Sequence, residues 1–426
     1  PSQSPSRSAS PSDHIHPSES PSRSPAPSSM PSASVSVTGT LWVDSDGDGI
    51  QDPSEPPLTG VTVTVYDENG TPIASAVTDS SGTYTVPGLP PGTYYAVVDP
   101  PTDYELSPQD SGNPNGSDFH PSNATTSPIE LKAGETGEGS FDGGLYEPVI
   151  VAGTIWEDEN GDGVQDPGEP ILSGVTVTVF DGATGDVVGT AATDGTSGAY
   201  EVSGLPPGTY YAEVAPPTDY ELSPMNTAIE NGSDFDPSTF QTGTTILASG
   251  ESGDGSFDGG LYRPATIELY VWDDTDGDGL QDPGEEGYTG PVTVTLTGPD
   301  GQTTVASTTP TGGVITIDSL PPGSYGIVMD LDDGVTFSPL NSGTNEAIDS
   351  DVDPTSGQVT PVDGDTLVEV TSGATITNID AGVIAQSSQP SLSPSSMPSA
   401  SVSVTGTLWL DRDGDGIQDP AEPPLT

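Results

Sequence analysis

The sequence predicts an all-β protein built from tandem β-sandwich modules. Short segments such as Val61–Tyr66 alternate apolar and polar residues with a period of two, which is typical of half-buried strands. Turn-forming residues separate these segments, and no helical period is present. The whole pattern also recurs, because Trp42, Trp156 and Trp272 lie 114 and 116 residues apart. A repeat of about 115 residues can bury an adequate core, so each repeat is predicted to fold as one module.

Composition divides the chain into modules and linkers. The predicted segments are a linker at 1–35, modules at 36–148, 149–264 and 265–385, a linker at 386–401, and the start of a fourth module at 402–426. Both linkers are rich in Ser and Pro, which predicts extended chain that is either a plain spacer or an O-glycosylated stalk. Residues 395–426 repeat residues 28–59 with three differences in 32 positions. We therefore expect this sequence to be a window on a longer array.

Each module repeats one order of predicted elements. In the first module these are a strand ending at Trp42, an acidic loop, a strand at Val61–Tyr66, a hairpin turn at Asp67–Gly70, strands at Ala76–Thr78 and Gly82–Val86, a turn at Leu89–Gly92, a strand at Tyr94–Val98 and a closing segment at Gly139–Tyr146. The Trp residues, including Trp409, are predicted to lie in the core beside the loop, with a carbohydrate platform as the alternative. The Leu-Pro-Pro-Gly-Thr-Tyr stretch predicts a tyrosine-bearing corner before a strand.

A twelve-residue acidic loop begins two residues after each Trp. All four copies fit D-x-[DN]-x-[DN]-G-x5-E, the pattern of a calcium loop. Calcium takes roughly six to eight oxygen ligands, and the loop offers side-chain oxygens at positions 1, 3, 5, 9 and 12 and a main-chain carbonyl at position 7. The predicted ligands are Asp44, Asp46, Asp48, Ile50, Asp52, Glu55; Asp158, Asn160, Asp162, Val164, Asp166, Glu169; Asp274, Asp276, Asp278, Leu280, Asp282, Glu285; and Asp411, Asp413, Asp415, Ile417, Asp419, Glu422.

Charge repulsion favours calcium over a merely solvated acidic turn. The first loop places five carboxylates within twelve residues, and a bound cation would relieve their repulsion. A second calcium site per module is an open alternative, because Asp349, Asp351 and Asp353 alternate and would share one face of an extended strand. A solvated loop explains these three residues equally well.

The overall charge limits the classes of partner. The formal net charge is −60, with 65 acidic residues against five Lys and Arg. Nucleic acid is excluded as a partner because phosphate contacts need clustered Lys and Arg, and anionic membranes are disfavoured. The sequence has no apolar run long enough to span a membrane.

The sequence offers no catalytic constellation, so the chain is predicted not to be an enzyme. It has no Cys, and His120 is the one His within the predicted modules. Acidic pairs recur in every module, which fits calcium better than a glycosidase site. Four sequons are candidate N-glycosylation acceptors or simply turn-forming residues, namely Asn69, Asn115, Asn123 and Asn231.

The order of Trp42–Glu55, Gly60–Val63, Gly82–Tyr84 and Leu89–Tyr94 resembles the SdrD B-type repeat of bacterial surface adhesins. The resemblance extends over residues 36–385 and 402–426. It implies a CnaB-like, prealbumin-like Greek-key sandwich, with calcium in the loop after the first strand. It also implies a rigid stalk that projects ligand-binding regions from a cell surface.

Several features depart from related patterns. Pro occupies loop position 10 in every copy and opposes the exiting helix of an EF-hand, so the loop is predicted to join strands. Lys132 is the one Lys of the chain, so modules 2 and 3 cannot form the Lys–Asn isopeptide bond of many CnaB-like domains. Calcium is therefore expected to be the main cross-link. The Ser/Pro linkers look more like those of eukaryotic cell-wall glycoproteins.

The predicted function is an extracellular, calcium-stabilised structural or adhesive repeat protein that forms a rigid stalk or fibre at the cell surface or in the cell wall. Its predicted partners are calcium, copies of itself in a fibre, and glycans or cell-wall components. The first alternative is an adhesion module that binds glycans or proteins. The second is an acidic matrix protein involved in mineral deposition, which ranks lower because the acidic residues cluster in loops.

Overall fold

The computed structural model describes residues 34–385, apart from residue 111, residues 134–135, 138–140 and 254–256, residue 309, and residues 341–346 and 361–365. Every regular element in these residues is a β-strand, which confirms the predicted all-β class. Residues 1–33 of the first predicted linker, the second linker and the start of the fourth module lie outside the described residues. Strand β1 begins at Val35.

The strands fall into three sets. The first set is β1 (Val35–Val43), β2 (Thr62–Asp67), β3 (Pro72–Val77), β4 (Thr83–Leu89), β5 (Gly92–Asp99), β6 (Glu105–Leu106), β7 (Phe119–His120), β8 (Thr125–Thr126), β9 (Ile129–Leu131), β10 (Thr136–Gly137) and β11 (Gly143–Tyr146). The second is β12 (Val149–Glu157), β13 (Thr176–Asp181), β14 (Val187–Ala192), β15 (Ala199–Leu205), β16 (Gly208–Ala215), β17 (Glu221–Leu222), β18 (Thr245–Leu247), β19 (Ser252–Gly253) and β20 (Gly259–Tyr262). The third is β21 (Ala265–Asp273), β22 (Val292–Thr297), β23 (Thr303–Thr308), β24 (Val314–Leu320), β25 (Gly323–Leu331), β26 (Val335–Phe337), β27 (Val368–Val370) and β28 (Thr375–Ala385).

Each set forms two sheets around one core, and we call the sets modules 1, 2 and 3. In module 2 the sheets run β15-β12-β20-β17, with β19 also on β12, and β14-β13-β16-β18. Module 3 follows the same plan with β24-β21-β28-β26 and β23-β22-β25-β27. In module 1, β1 pairs with β4, β10 and β11, and the second sheet runs β3-β2-β5-β8-β7, with β9 also on β5.

The first and last strands of each module pair in parallel, and this pairing positions the acidic loop. Leu41 lies opposite Gly143 and Trp42 opposite Gly144, where β1 meets β11. The pairs β12–β20 and β21–β28 repeat the arrangement. A side chain at residue 144 would meet the Trp42 ring at 3.0 Å, so glycine is needed for the indole to pack against the last strand.

The core of each module comes from strand alternation. In β1, Val35, Val37 and Leu41 are buried, whereas the polar residues between them are only partly buried. Strand β2 contributes Val63 and Val65 in the same way. Trp42, Trp156 and Trp272 are fully buried, which confirms their predicted place in the core. Such burial stabilises a module by roughly 25 cal/mol for each Å² of apolar surface removed from water.

The Leu-Pro-Pro-Gly turn carries a tyrosine corner, as predicted. The hydroxyl of Tyr94 donates to the Pro90 carbonyl at 2.6 Å, and the Tyr325 hydroxyl donates to Pro321 at 2.7 Å. Tyr210 makes the same bond to Pro206 in module 2. This bond fixes the turn between the two sheets, because it ties the start of the strand to a residue four positions earlier.

A second buried tyrosine gives a test of the fold. Tyr84 donates to the Phe141 carbonyl at 2.8 Å in a buried contact. We expect Tyr84→Phe to destabilise module 1 by about 1–2 kcal/mol, because the carbonyl loses its partner away from water. The measurement is hydrogen–deuterium exchange of β1 and β4 amides in the full chain.

The matched control for Tyr84→Phe is Tyr66→Phe. Tyr66 is half-buried, and the corresponding residue of module 2 is Phe180. The control should change stability by less than about 0.5 kcal/mol. Equal protection of β1 amides in the two variants would contradict this account of the Tyr84 bond.

Candidate metal centre

The acidic loop starts where the paired first and last strands end. The Asp44 amide donates to the Leu145 carbonyl at 2.8 Å, and Asp158 and Asp274 make the corresponding bonds to Leu261 and Val383 at 2.8 and 2.9 Å. Each of these three Asp side chains is buried. The first predicted ligand of each loop is therefore fixed to the edge of a sandwich and not to a free surface turn.

The carboxylate at position 1 holds the loop in a curve. In module 1 the Asp44 oxygens accept the amides of Gly47 and Gly49 at 2.8 and 2.9 Å. The same two bonds are 2.7 and 2.8 Å in module 2, and 2.6 and 2.9 Å in module 3. Gly49 has φ +78° and a side chain there would meet the Pro108 carbonyl at 2.2 Å, so position 6 needs glycine.

The glutamate at position 12 closes the loop with both of its oxygens. Glu55 accepts the Ser45 amide at 2.6 Å and the Asp52 amide at 2.9 Å. Glu169 and Glu285 bridge the same two loop positions in modules 2 and 3. Each carboxylate oxygen keeps further lone pairs for a cation, so the closed loop is compatible with a glutamate that binds calcium through both oxygens.

Three carboxylates converge in two of the loops. Ligand oxygens of Asp44, Asp46 and Asp48 lie within 4.8 Å of one another, and so do those of Asp274, Asp276 and Asp278. These triads can hold a metal ion. In module 2 the amide of Asn160 stands at position 3 and donates to Asp162 and Asp166, at 3.2 Å each.

The electrostatics of the loop favour neutralisation. Burial, with a smaller contribution from the charges of Asp44 and Asp46, raises the pKa of Glu55 to about 7, although hydrogen bonds from the Asp52 and Ser45 amides oppose the rise. Burial and the neighbouring Asp48 also raise the pKa of Asp46. Carboxyl groups that resist ionisation beside one another are stabilised by a hard cation, which favours their charged form.

A second segment supports each loop, and sequence reasoning did not assign it this place. Ile50 at position 7 forms a β-bridge with Gly116. The flanking bonds, Gln51 amide to Asn115 carbonyl and Ser117 amide to Gly49 carbonyl, are both 2.8 Å. Neither of these two bonds uses the amide or the carbonyl of Ile50, so the bridge does not occupy the position-7 carbonyl. The signal in the sequence is the Asn-Gly-Ser stretch that modules 1 and 2 share, which by itself fits a sequon or a turn equally well.

The alternating acids of module 3 do not share one face as expected. Asp349 and Asp351 are buried, whereas Asp353 caps its own turn by accepting the amides of Thr355 and Ser356 at 2.9 and 2.8 Å. The cause is Pro354, because an Asp-Pro pair favours turn initiation.

The buried carboxyls of this region lie beside the last strand. Asp351 accepts the Asp380 amide at 2.7 Å, and burial together with Asp349 raises the pKa of Asp380 to about 7. In module 1, Asp118 accepts the Asp142 amide at 2.8 Å, and burial followed by the Asp142 charge raises its pKa to about 6. A hydrogen bond from the Asp142 amide opposes that rise.

The remaining predicted site residues are placed as follows. The position-9 residues Asp52, Asp166 and Asp282 are exposed, and Val164 and Leu280 form bridges like that of Ile50. The four sequon asparagines are exposed. The fourth loop, from Asp411 to Glu422, lies outside the described residues.

Comparison with known proteins identifies the repeats. The model of the SdrD B-like domain family matches residues 35–145, 150–261 and 265–383. Serine-aspartate repeat-containing protein F of Staphylococcus epidermidis is 35% identical over 314 residues, which cover 73% of this chain and 17% of that protein. Serine-aspartate repeat-containing protein D of Staphylococcus aureus strain Newman is 35% identical over 332 residues, covering 77% of this chain and 24% of that protein. The chain thus spans less than a quarter of the length of these relatives.

Solved structures give weaker similarities. The major pilin subunit BcpA of Bacillus cereus aligns over 82% of this chain and 99% of its own, with a TM-score of 0.29 and 13% identity. The TIE protein of Bacillus anthracis aligns over 81% of this chain and 49% of its own, with a TM-score of 0.27 and 15% identity. Structural similarities this weak add nothing to what the family match shows about this chain.

The described residues contain no helix that is long and apolar enough to cross a membrane. The match to the SdrD B-like domain family supports the prediction that the chain is not an enzyme. The family model covers three consecutive segments that make up most of the sequence. The chain therefore belongs to the SdrD B-like domain family.

Proposed function

We propose that this chain is a calcium-stabilised structural repeat of an extracellular stalk or fibre. One observation carries the proposal: three successive modules fold the acidic loop in the same way, with a buried Asp at its start and a bridging Glu at its end. A solvated acidic turn would not need both ends fixed by paired hydrogen bonds three times over.

The residues of the loop would act as a clamp on the sandwich. Asp44 stands at the end of the paired first and last strands, and Glu55 ties position 2 to position 9. Calcium would supply a single positive centre that joins these carboxylates, and it would replace the covalent cross-link that modules 2 and 3 cannot form. The predicted ligand set, including the position-7 carbonyls and the fourth loop, is part of this proposal.

The family and the charge support an extracellular setting. The SdrD B-like repeats and the net charge of −60 fit a chain that meets calcium outside the cell, where calcium modules bind with Kd of about 10⁻⁴–10⁻³ M. Copies of the chain in a fibre and cell-wall components are the partners we propose.

Calcium removal tests the proposed function directly. Calcium at about 100 times its Kd should stabilise each module by about 2.7 kcal/mol, because it binds the folded loop alone. For a domain of about 100 residues, each kcal/mol of stabilisation raises the unfolding temperature by roughly 4–8 °C. Scanning calorimetry of the full chain with calcium and then with EDTA makes the measurement.

A matched pair of variants tests whether the loop is responsible. Glu55→Gln removes the bridging charge and should reduce the calcium-dependent stabilisation of module 1. Glu130→Gln removes an exposed charge of the same module and should leave that stabilisation intact. The calcium proposal would be contradicted if EDTA left the unfolding temperature unchanged, or if Glu55→Gln and Glu130→Gln reduced the calcium-dependent stabilisation equally.

The raised carboxyl pKa values predict how stability depends on pH. Folding raises the pKa of Glu55 and Asp380 to about 7 and that of Asp118 to about 6. The folded state therefore binds more protons than the unfolded state between the ordinary carboxyl range and about pH 7. Without calcium, stability should be greatest at the acid end of this window and fall as pH rises through it.

Calcium should weaken or reverse that fall, because it binds the ionised loop. The measurement is the unfolding temperature at about pH 5 and about pH 7.5, in buffer freed of calcium by a chelating resin and again with calcium added. A calcium-free chain that gains stability from about pH 5 to about pH 7.5 would contradict the raised pKa values.

A glycan-binding role is the second candidate, and stacked aromatic pairs favour it. Tyr66 and Tyr95 stack at 5.3 Å, and Phe180 and Tyr211 stack at 4.9 Å at the corresponding cross-strand position of module 2. All four rings are half-buried on the outer face of a sheet. Such pairs also stabilise sheets without any ligand.

A glycan array separates these two roles of the aromatic pairs. If the pairs bind sugars, the full chain should give array signals that Tyr95→Ala and Tyr211→Ala reduce together. Signals that survive both substitutions, or an array without signals, would remove this candidate.

A further inference from the structure

The acidic loops of modules 1 and 2 contact the modules that follow them. The Ser45 carbonyl, at loop position 2, accepts the Ser249 amide of module 2 at 3.0 Å. The Glu159 carbonyl, at the same position of the second loop, accepts the Ser372 amide of module 3, also at 3.0 Å. The two junctions therefore share one hydrogen bond, from the equivalent serine of the following module to the carbonyl at loop position 2.

Loop position 4 lies tightly against the next module. A side chain at Gly47 would meet the Pro207 carbonyl at 2.8 Å, and one at Gly161 would meet the Pro322 carbonyl at 2.7 Å. Pro207 and Pro322 occupy the Leu-Pro-Pro-Gly turns of modules 2 and 3. The turn that carries the tyrosine corner is thus also the surface on which the preceding loop rests.

A Ser-Gly pair of the next module holds the peptide that joins the modules. The Ser249 hydroxyl accepts the Glu147 amide at 2.8 Å, and the Gly250 amide donates to the Glu147 carbonyl at 2.9 Å. In the second junction, Ser372 accepts the Arg263 amide at 2.9 Å and Gly373 donates to the Arg263 carbonyl at 2.8 Å.

An ion pair reinforces the second junction. Arg263 contacts Glu157 at 2.7 Å, and Ser372 donates to the same Glu157 oxygen at 2.8 Å. Glu157 is buried. The sequence has only five Lys and Arg residues, and Arg263 at this junction is one of them.

The residues that form the junctions change at the two ends of the three-module block. Module 1 has Ala133 at the position of Ser249 and Ser372. In module 3, a side chain at Gly277 would meet one atom within 4 Å among the described residues, the Ile384 Cδ1 at 3.4 Å. Ser/Pro-rich sequence lies beyond both ends.

We propose that the acidic loop is the docking platform for the next module, so that loop conformation and intermodular angle are set together. Modules 1, 2 and 3 then behave as one rigid unit. The part of this inference that involves calcium rests on the proposed function. Because coupling between sites is reciprocal, docking of a module strengthens cation binding in the loop beneath it, and the cation strengthens docking.

The absence of cysteine makes the test direct. Paired spin labels at Ala183→Cys and Gln302→Cys, two exposed turn positions in modules 2 and 3, report the intermodular distance in the full chain by pulsed electron paramagnetic resonance. The distance distribution is recorded during a calcium titration for the labelled chain, and then with Gly161→Ala, Ser372→Ala or Gly277→Ala added.

Gly277→Ala is the matched control, because Gly161 and Gly277 share loop position 4 and a φ of +76°, so both substitutions carry the same backbone strain. Ser372→Ala introduces the residue that module 1 already has at this position. We expect a narrow distance distribution in the labelled chain. Gly161→Ala and Ser372→Ala should broaden it and raise the calcium concentration needed to narrow it by at least about five-fold. Gly277→Ala should change neither the width of the distance distribution nor the calcium concentration that narrows it.

Two further outcomes separate this inference from the proposed function. If Gly161→Ala and Ser372→Ala match Gly277→Ala, the docking inference is overturned even when calcium binds. If calcium changes no distribution while Gly161→Ala still broadens it, docking is supported and the calcium-based function is the part that fails.

Discussion

Repulsion among clustered carboxylates is the constraint on which the rest of this structure depends. The first loop holds five acidic side chains within twelve residues, and its first aspartate is buried. Buried charges need partners. Backbone amides of Gly47 and Gly49 donate to the Asp44 carboxylate. The oxygens of Asp44, Asp46 and Asp48 also lie close enough together to share one cation.

The sandwich supplies the rigidity that this geometry requires. The first and last strands pair in parallel, and the loop leaves from the end of that pair. The buried Trp42 stands two residues before the loop and packs against Gly144, which leaves room for its ring. Core packing, loop shape and module contacts are therefore connected through the three described modules, as the proposed stalk would require.

Local patterns allowed the strands, the tyrosine corner and the buried tryptophans to be predicted, because each depends on residues within a few positions. The parallel closure of Leu41 on Gly143 joins residues about a hundred positions apart, and alternation alone carries no such information. The same holds for the bridge from Ile50 to Gly116 and for the junction from Ser45 to Ser249. Asp353 shows the opposite case, where a local signal, the following proline, outweighed the alternation.

The most direct measurement of the central claim is a crystal structure of the chain grown in calcium, with anomalous differences collected at long wavelength. The account predicts one anomalous peak in each of the three described loops, at about 2.3–2.6 Å from the oxygens of Asp44, Asp158 and Asp274. Ordered loops with no anomalous peak among their carboxylates would contradict it.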